Sequence, residues 1–413
     1  MFRRWYQGRL GEKLGRPFVH LLFGARQTGK STMVKALLTK DAVVVDLSSA
    51  PERSRYLARP ELFESMCRSL PEKPRNRVVF VDEAQSVPAI FDSVQHLYDM
   101  DRGRWRFLLC GSSMRKLRKA GANLLPGRSF IHHIYPLILA EQPASAGGGP
   151  EKARILPIEW KKTAALKPFP EWNLETRLAY GSLPGVVAAE ERDRGEILKA
   201  YTEAHLEEEI RREALVKDWG AFLRFLQLAA QESGQSLNFA SLSQETGISI
   251  PTIKSHYQLL EDMHIGYIVP AWSRNSRKRL LSTPRFYFFD LGVRHAAAGL
   301  NPNLDTVKAN PGPLFEHWVG LELYKRIKYL GRGTVQYYRT RNGVEVDFII
   351  ENAGKAIPVE VKWTRNPTMH DARHLITFMK EQGARASEGY IVCRCHQPLR
   401  LADHVTAIPW QMI

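Results

Sequence analysis

Val19-His20-Leu21-Leu22-Phe23-Gly24-Ala25-Arg26-Gln27-Thr28-Gly29-Lys30-Ser31 decides how the first third of the chain folds. A short apolar run, which reads as a buried strand, ends at a glycine. Gly-Lys-Ser closes the loop, and Thr32-Met33-Val34-Lys35-Ala36-Leu37-Leu38 follows with helix formers. The spacing Gly-x-x-x-x-Gly-Lys-Ser between a strand and a helix is that of a phosphate cradle. Its glycines let backbone N–H groups curl round phosphate oxygens at a helix N-terminus. Lys30 is placed to reach the β and γ oxygens of a nucleoside triphosphate, and the Ser31 hydroxyl to ligate Mg²⁺. Gly24, Ala25, Arg26, Gln27, Thr28, Gly29, Lys30, Ser31 and Thr32 are therefore the candidate contacts to Mg·ATP.

Working outward, Ala42-Val43-Val44-Val45-Asp46, Val78-Val79-Phe80-Val81-Asp82 and Phe107-Leu108-Leu109-Cys110-Gly111 repeat the pattern of short apolar runs separated by polar or helical segments. Near-continuous apolar strands of this kind belong to a parallel sheet covered on both faces, so an α/β domain is expected from the N-terminus to about residue 140. Asp82 ends its strand where an acid can hold the Mg²⁺ water shell, and Glu83 next to it is the candidate group to polarise an attacking water. Two adjacent acids favour hydrolysis over binding alone. Ser112 and Ser113 follow the last of these strands, where a polar side chain can sense the γ-phosphate; a plain turn is the alternative.

Gly24 to Ser31, Val81-Asp82-Glu83-Ala84-Gln85, Gly111-Ser112-Ser113 and Leu125-Pro126-Gly127-Arg128 together resemble prokaryotic AAA-family ATPases that carry a C-terminal domain of unknown function. The likeness spans nearly the whole chain. It implies a P-loop NTPase fold, ATP and Mg²⁺ as cofactors, and self-association into an oligomer, a hexameric ring among the options. In such assemblies an arginine from one subunit completes the neighbour's site. Arg128 is similar in placement, Arg26 is a second source of charge, and a surface arginine is the plain alternative.

The bulk properties set the frame. A chain of 413 residues exceeds one ordinary core, so two or three domains are expected. No apolar run is long enough to span a bilayer, and Met1-Phe2-Arg3-Arg4-Trp5 lacks the apolar stretch of a signal peptide, which points to the cytoplasm. The net charge of +16 favours a polyanionic partner, DNA first, with +12 of it before Ala140. Cys67, Cys110, Cys393 and Cys395 match neither zinc-ligand nor redox spacing, and Cys393-Arg394-Cys395-His396 reads as a strand end.

Residues 141–175, with Gly147-Gly148-Gly149-Pro150, read as a linker or insertion. From 176 to 285 a helical domain is expected. Within it Asn238 to Gly247 and Ile248 to Leu260 have helix-turn-helix spacing, with Ile253, Tyr257 and Leu260 inward and Thr252, Lys254, Ser255 and Gln258 outward. These four suit a major groove, or a protein surface. Arg274, Arg277, Lys278 and Arg279 lie where the wing of a winged helix would meet phosphates.

From 286 to 413 strands return. Asp347 on one strand and Glu360-Val361-Lys362 on the next, with Glu316 on a preceding helix, resemble the PD-(D/E)xK restriction-endonuclease-like fold. Alternation puts Glu360 and Lys362 on one face, so Asp347 and Glu360 can bind Mg²⁺ while Lys362 positions water. An active nuclease, a nucleic-acid-binding relic and chance edge-strand charges all fit.

The chain thus reads as a DNA-processing ATPase. A nucleotide-gated switch binding a promoter or a protein, and a metal-dependent nuclease licensed by ATP, are the other readings.

Overall fold

A computed structural model describes residues 2–73, 77–112, 126–141, 155–156, 172–213, 216, 218–273 and 282–413. The chain divides into two compact units. One holds Met1–Pro136 with Asp262–Ile265, the other Leu137–Glu261 with Gly266–Ile413. The expected boundary at 285/286 therefore falls inside one unit. The physical reason is that Arg285–Phe288 pairs antiparallel with Gly266–Val269, tying the two sides of that boundary by backbone bonds. Most of the expected linker, residues 141–175, and the basic positions Arg274, Arg277, Lys278 and Arg279 lie outside the described residues.

The first unit is a five-stranded sheet of β1 (Val19–Phe23), β2 (Val43–Asp46), β3 (Val78–Asp82), β4 (Arg106–Gly111) and β5 (Ser129–His133). The order is β2-β3-β4-β1-β5, and every pairing is parallel. β5 was not legible as a strand because Ser129-Phe130-Ile131-His132-His133 carries no continuous apolar run. One sheet face packs Leu21, Phe23, Val79, Val81, Phe107 and Leu109 against the helix Ile90–Met100 and its neighbours. The other face carries His20 and His132, with Tyr6 of the helix Trp5–Leu14 donating to or accepting from His132 Nδ1 at 2.7 Å. Burial holds both imidazoles well below the usual histidine range, at about 4 and about 3, so this seam is neutral.

The second unit opens with helices Leu174–Tyr180, Pro184–Ala188 and Glu191–Ala200. Trp219–Gln231, Phe239–Thr246 and Ile250–Asp262 then form the helical trio that precedes the β6 (Gly266–Val269) and β7 (Arg285–Phe288) hairpin. Asn238 caps the second of these helices through the Ser241 N–H, and Gly247 ends it in the left-handed conformation. As the spacing predicts, Ile253, Tyr257 and Leu260 are buried while Thr252, Lys254, Ser255 and Gln258 are exposed.

The long helix Pro311–Leu330 leads into a six-stranded mixed sheet: β8 (Thr334–Arg339), β9 (Glu345–Asn352), β10 (Lys355–Val361), β11 (Gly389–Cys393), β12 (Leu399–Ala402) and β13 (Val405–Pro409). The order is β12-β13-β11-β10-β9-β8. The helix Arg373–Gln382 carries the chain from β10 to its parallel neighbour β11. Cys393 and Cys395 are buried in this unit's core, Cys393 Sγ donating to the Ile408 carbonyl, so the pair sits at a strand end as read from the sequence.

Candidate functional site

Strands β3, β4 and β1 are neighbours, and their carboxyl ends bring the three sequence motifs to one edge: Asp82 and Glu83, Gly111 and Ser112, and the loop from Gly24. Open parallel sheets bind ligands at this edge because the chain leaves the strands there and helix N-termini point back at it. The loop geometry requires its glycines. Gly24 has φ +157°, and a Cβ there would overlap the Ile134 carbonyl oxygen. Gly29 (φ 85°) turns the chain into the helix Lys30–Lys35. Gln27, with φ 59°, adopts the left-handed region without being glycine, which costs on the order of 1 kcal/mol.

Lys30 is buried and folds over its own loop, Nζ donating to the Gly24 and Ala25 carbonyls at 2.8 Å each. Those carbonyls hold the ammonium over the loop where triphosphate oxygens are expected. Ser31 Oγ donates to Asp82 Oδ1 at 2.9 Å. A hydroxyl and a carboxylate oxygen in contact, from helix and strand, are the hard-oxygen pair that Mg²⁺ takes in nucleotide sites, so the residues fit the ion. Glu83 is half-buried and strained, with φ 55°. Cys110 lies between these groups, and burial pushes its thiol far up, leaving it inert.

Two residues to which sequence reasoning gave no role shape the site. Gln85, in a 3-10 turn after Glu83, is buried and donates from Nε2 to Glu83 Oε2 and to Ser112 Oγ (3.3 Å). Arg4 is also buried, Nη1 donating to the Thr28 carbonyl (2.5 Å) and Nη2 to the Tyr135 carbonyl (2.6 Å). Gln85 had a signal in Asp-Glu-x-Gln; Arg4 had none, because its partners are far away in sequence. Arg128 donates Nε to Asp99 Oδ1 at 2.7 Å within its own chain. Ser113 lies outside the described residues, and Ser112 is buried at the β4 end.

The second cluster of candidates lies in the C-terminal sheet. Asp347 on β9 accepts from the Val361 N–H at 2.8 Å, and Lys362 donates to Glu360 Oε1 at 2.7 Å, which places Glu360 and Lys362 on one face as alternation predicts. Glu360 Oε2 is buried without a hydrogen-bond partner among the described residues. Burial and the neighbouring Asp347 push Glu360 up to about 8, and the same two causes push Glu316 up to about 8. Burial also raises Asp347.

Arg285, missed in the sequence because it merely opens an apolar run, donates to Glu316 Oε1 at 2.9 Å and to Glu345 Oε1. Among the described residues no set of three or more His, Cys, Asp or Glu is arranged to hold a metal ion. Within this cluster, Glu360 Oε2 is a buried oxygen with no hydrogen-bond partner among the described residues. An open cavity of about 680 Å³ reaches Glu316, Glu345, Arg285 and Arg339 from outside.

Residues 16–142 match the AAA domain family, 171–304 a domain of unknown function (DUF8612) and 311–413 another (DUF4143). The first match covers the parallel sheet, the loop from Gly24 and both strand-end acids. Over residues 16–142 the N-terminal unit is thus similar to an AAA domain, and the loop from Gly24 is where a phosphate loop stands in that match. The chain is 26% identical over 413 residues to the uncharacterized protein Rv2008c of Mycobacterium tuberculosis, covering 100% of this chain and 84% of that protein. It is 22% identical over 375 residues to an uncharacterized protein of Haemophilus influenzae, covering 87% and 86%. Among solved structures it is similar to C. elegans PCH-2 (15% identity, TM-score 0.21, 63% and 65% covered). It is also similar to the signal transduction ATPase with numerous domains PH0952 of Pyrococcus horikoshii (8%, TM-score 0.23, 78% and 49% covered). Among the described residues no helix is long and apolar enough to cross a membrane.

Proposed function

We propose that this protein hydrolyses Mg·ATP to drive remodelling of, or movement on, DNA, as an oligomer whose neighbouring subunit contributes Arg128. The observation that carries the ATPase half is the Ser31–Asp82 hydrogen bond at the mouth of the phosphate loop. When bound, Mg²⁺ would be held there by Ser31 and Asp82 and would offset the charge of the β and γ oxygens. Lys30 supplies the fixed cation against those oxygens, and the loop N–H groups orient them. Glu83 accepts a proton from water as it attacks the γ-phosphorus, the bond from that phosphorus to the β–γ bridging oxygen breaks to leave ADP and phosphate, and Ser112 positions the γ-phosphate oxygens or the water.

DNA as the partner rests on the +16 charge and on the exposed Thr252, Lys254, Ser255 and Gln258 of Ile250–Asp262, which we read as a recognition helix. The test is ATP turnover by wild type and Glu83→Gln with no DNA, duplex, single-stranded and branched DNA. Stimulation severalfold by one DNA form, abolished in Glu83→Gln, is expected. Turnover indifferent to all DNA forms would replace the motor by a nucleotide-gated switch.

A second reading has its own observation. Asp347, Glu360 and Lys362 meet across β9 and β10 in the restriction-endonuclease-like pattern, and Glu360 keeps one buried oxygen without a partner. On that reading Asp347 and Glu360 hold Mg²⁺, Lys362 stabilises the developing phosphate charge, Glu316 orients the pair, and ATP licenses cleavage. Loss of DNA cutting in Asp347→Ala with ATP turnover intact supports it; no cutting by wild type under any nucleotide condition removes it.

A further inference from the structure

We propose that Gln85 is a positioning residue for ATP hydrolysis, a switch that holds Glu83 and Ser112 together and couples occupancy of the γ-phosphate position to the readiness of the base. The inference rests on the ATPase reading above and adds a residue to its machinery. Gln85 sits in the turn Ala84–Ser86, with its side chain buried beneath the strand ends. Its amide nitrogen has two hydrogens, and the structure gives it two acceptors, Glu83 Oε2 just past β3 and Ser112 Oγ just past β4. The amide orientation is fixed by chemistry, since only the nitrogen can donate to a carboxylate.

The third polar capacity of the side chain, Oε1, is buried beside Gly111 with no hydrogen-bond partner among the described residues. A Cβ on Gly111 would overlap that oxygen, so glycine at the end of β4 is what leaves room for the amide. A buried polar side chain with half of its amide unsatisfied is costly to keep. Here it links the base to the γ-phosphate sensor, two groups on different strands that have no direct contact among the described bonds. When a γ-phosphate draws the Ser112 hydroxyl toward itself, one of the two amide hydrogens loses its acceptor. The amide then turns while still donating to Glu83, and re-aims that carboxylate toward water. No covalent step is added; the proton from water still passes to Glu83.

The test compares wild type, Gln85→Leu, Gln85→Glu, Ser112→Ala, Gly111→Ala and the Gln85→Leu/Ser112→Ala double variant. Affinity for Mg·mant-ATP, steady-state ATP turnover and the thermal midpoint are read for each. Gln85→Leu is expected to lower kcat about 10²-fold while the Kd for Mg·mant-ATP stays within about threefold, a loss of the size that base positioning commands. Ser112→Ala added to Gln85→Leu is expected to cost little more, because the two act through one link. Gln85→Glu removes the donors at neutral pH and regains one on protonation, so its kcat–pH profile should shift to lower pH relative to wild type.

Gly111→Ala, which leaves Gln85 in place but crowds its oxygen, should reproduce the kcat loss. Wild-type kcat in Gln85→Leu, independent and multiplying losses for Gln85 and Ser112, or a parallel fall of binding, turnover and thermal midpoint would each overturn the inference. Wild-type protein that binds mant-ATP without turnover would instead overturn the ATPase reading itself, and the two failures are thereby told apart.

Discussion

At the end of β3, Asp82 receives a hydrogen bond from Ser31, and Glu83 stands half-buried beside it, accepting from the Gln85 amide. In the C-terminal sheet the carboxylates are met differently: Glu316 and Glu345 by the Arg285 guanidinium, Glu360 by Lys362, Asp347 by a backbone N–H. Both clusters gather acids at strand ends or across paired strands. The first is arranged around a gap that an external cation and triphosphate can fill. The second brings its own cations, and its carboxyls are raised by burial and by each other. The difference teaches that acids in a motif do not by themselves define a metal site; what already neutralises them does.

The sharpest way to break the first cluster is Gly24→Ala. The added methyl overlaps the Ile134 carbonyl at a φ that alanine avoids, so Mg·ATP binding should be lost outright, at least about 100-fold in Kd by calorimetry, with the second unit still folded by hydrogen exchange. The corresponding break in the second cluster is Arg285→Ala. It strands Glu316 and Glu345, whose side chains keep 28% and 34% of their exposure, so the cost should lie near the low end for a buried pair, about 3 kcal/mol by denaturant unfolding. Arg285→Met with Glu316→Gln and Glu345→Gln should recover most of it.

Titration sharpens the contrast further. His20 and His132 are depressed in the folded first unit to about 4 and about 3, against an ordinary value near 6.5. The unfolded chain then binds more protons below about pH 6.5, so the stability from this seam is present above that pH and is lost as pH falls toward 4. Glu316 and Glu360 are raised to about 8, so the folded second unit binds more protons than the unfolded chain. Their contribution is present below about pH 4.5 and is lost as pH rises through 8. Thermal unfolding from pH 5 to 9 should therefore show the first unit gaining and the second losing; parallel trends would remove the contrast. The smallest effect is expected at the outward helix face: Lys254→Ala should lower the salt dependence of DNA binding by roughly one ion and leave both clusters unchanged.

The sequence made the first cluster nearly complete, because a phosphate loop is local: strand, glycines, lysine and serine are consecutive, and β1, β3 and β4 are plain apolar runs. β5 was lost because His132 and His133 replace the apolar alternation. The buried His132 is met by Tyr6, at the other end of the domain. In the second unit, Asp347, Glu360 and Lys362 were readable from alternation, and their meeting across β9 and β10 agrees with it. Arg285 was not readable, since a guanidinium at a strand start looks like a solvated charge until the helix bearing Glu316 and the strand bearing Glu345 are folded against it. The pairing of Arg285–Phe288 with Gly266–Val269 across the expected 285/286 break was unreadable for the same reason, since composition does not register which strands bond.

Arg4 has a consequence for how this protein is handled at the bench. Its guanidinium bonds the carbonyls of Thr28 and Tyr135, so the peptide bond that trypsin would cut after Arg4 is shielded for as long as the phosphate loop keeps its shape. The rate of tryptic clipping at that bond is thus a gauge of nucleotide-loop order, readable by mass spectrometry without any label, and deletion of the first four residues should loosen a loop that lies far along the chain.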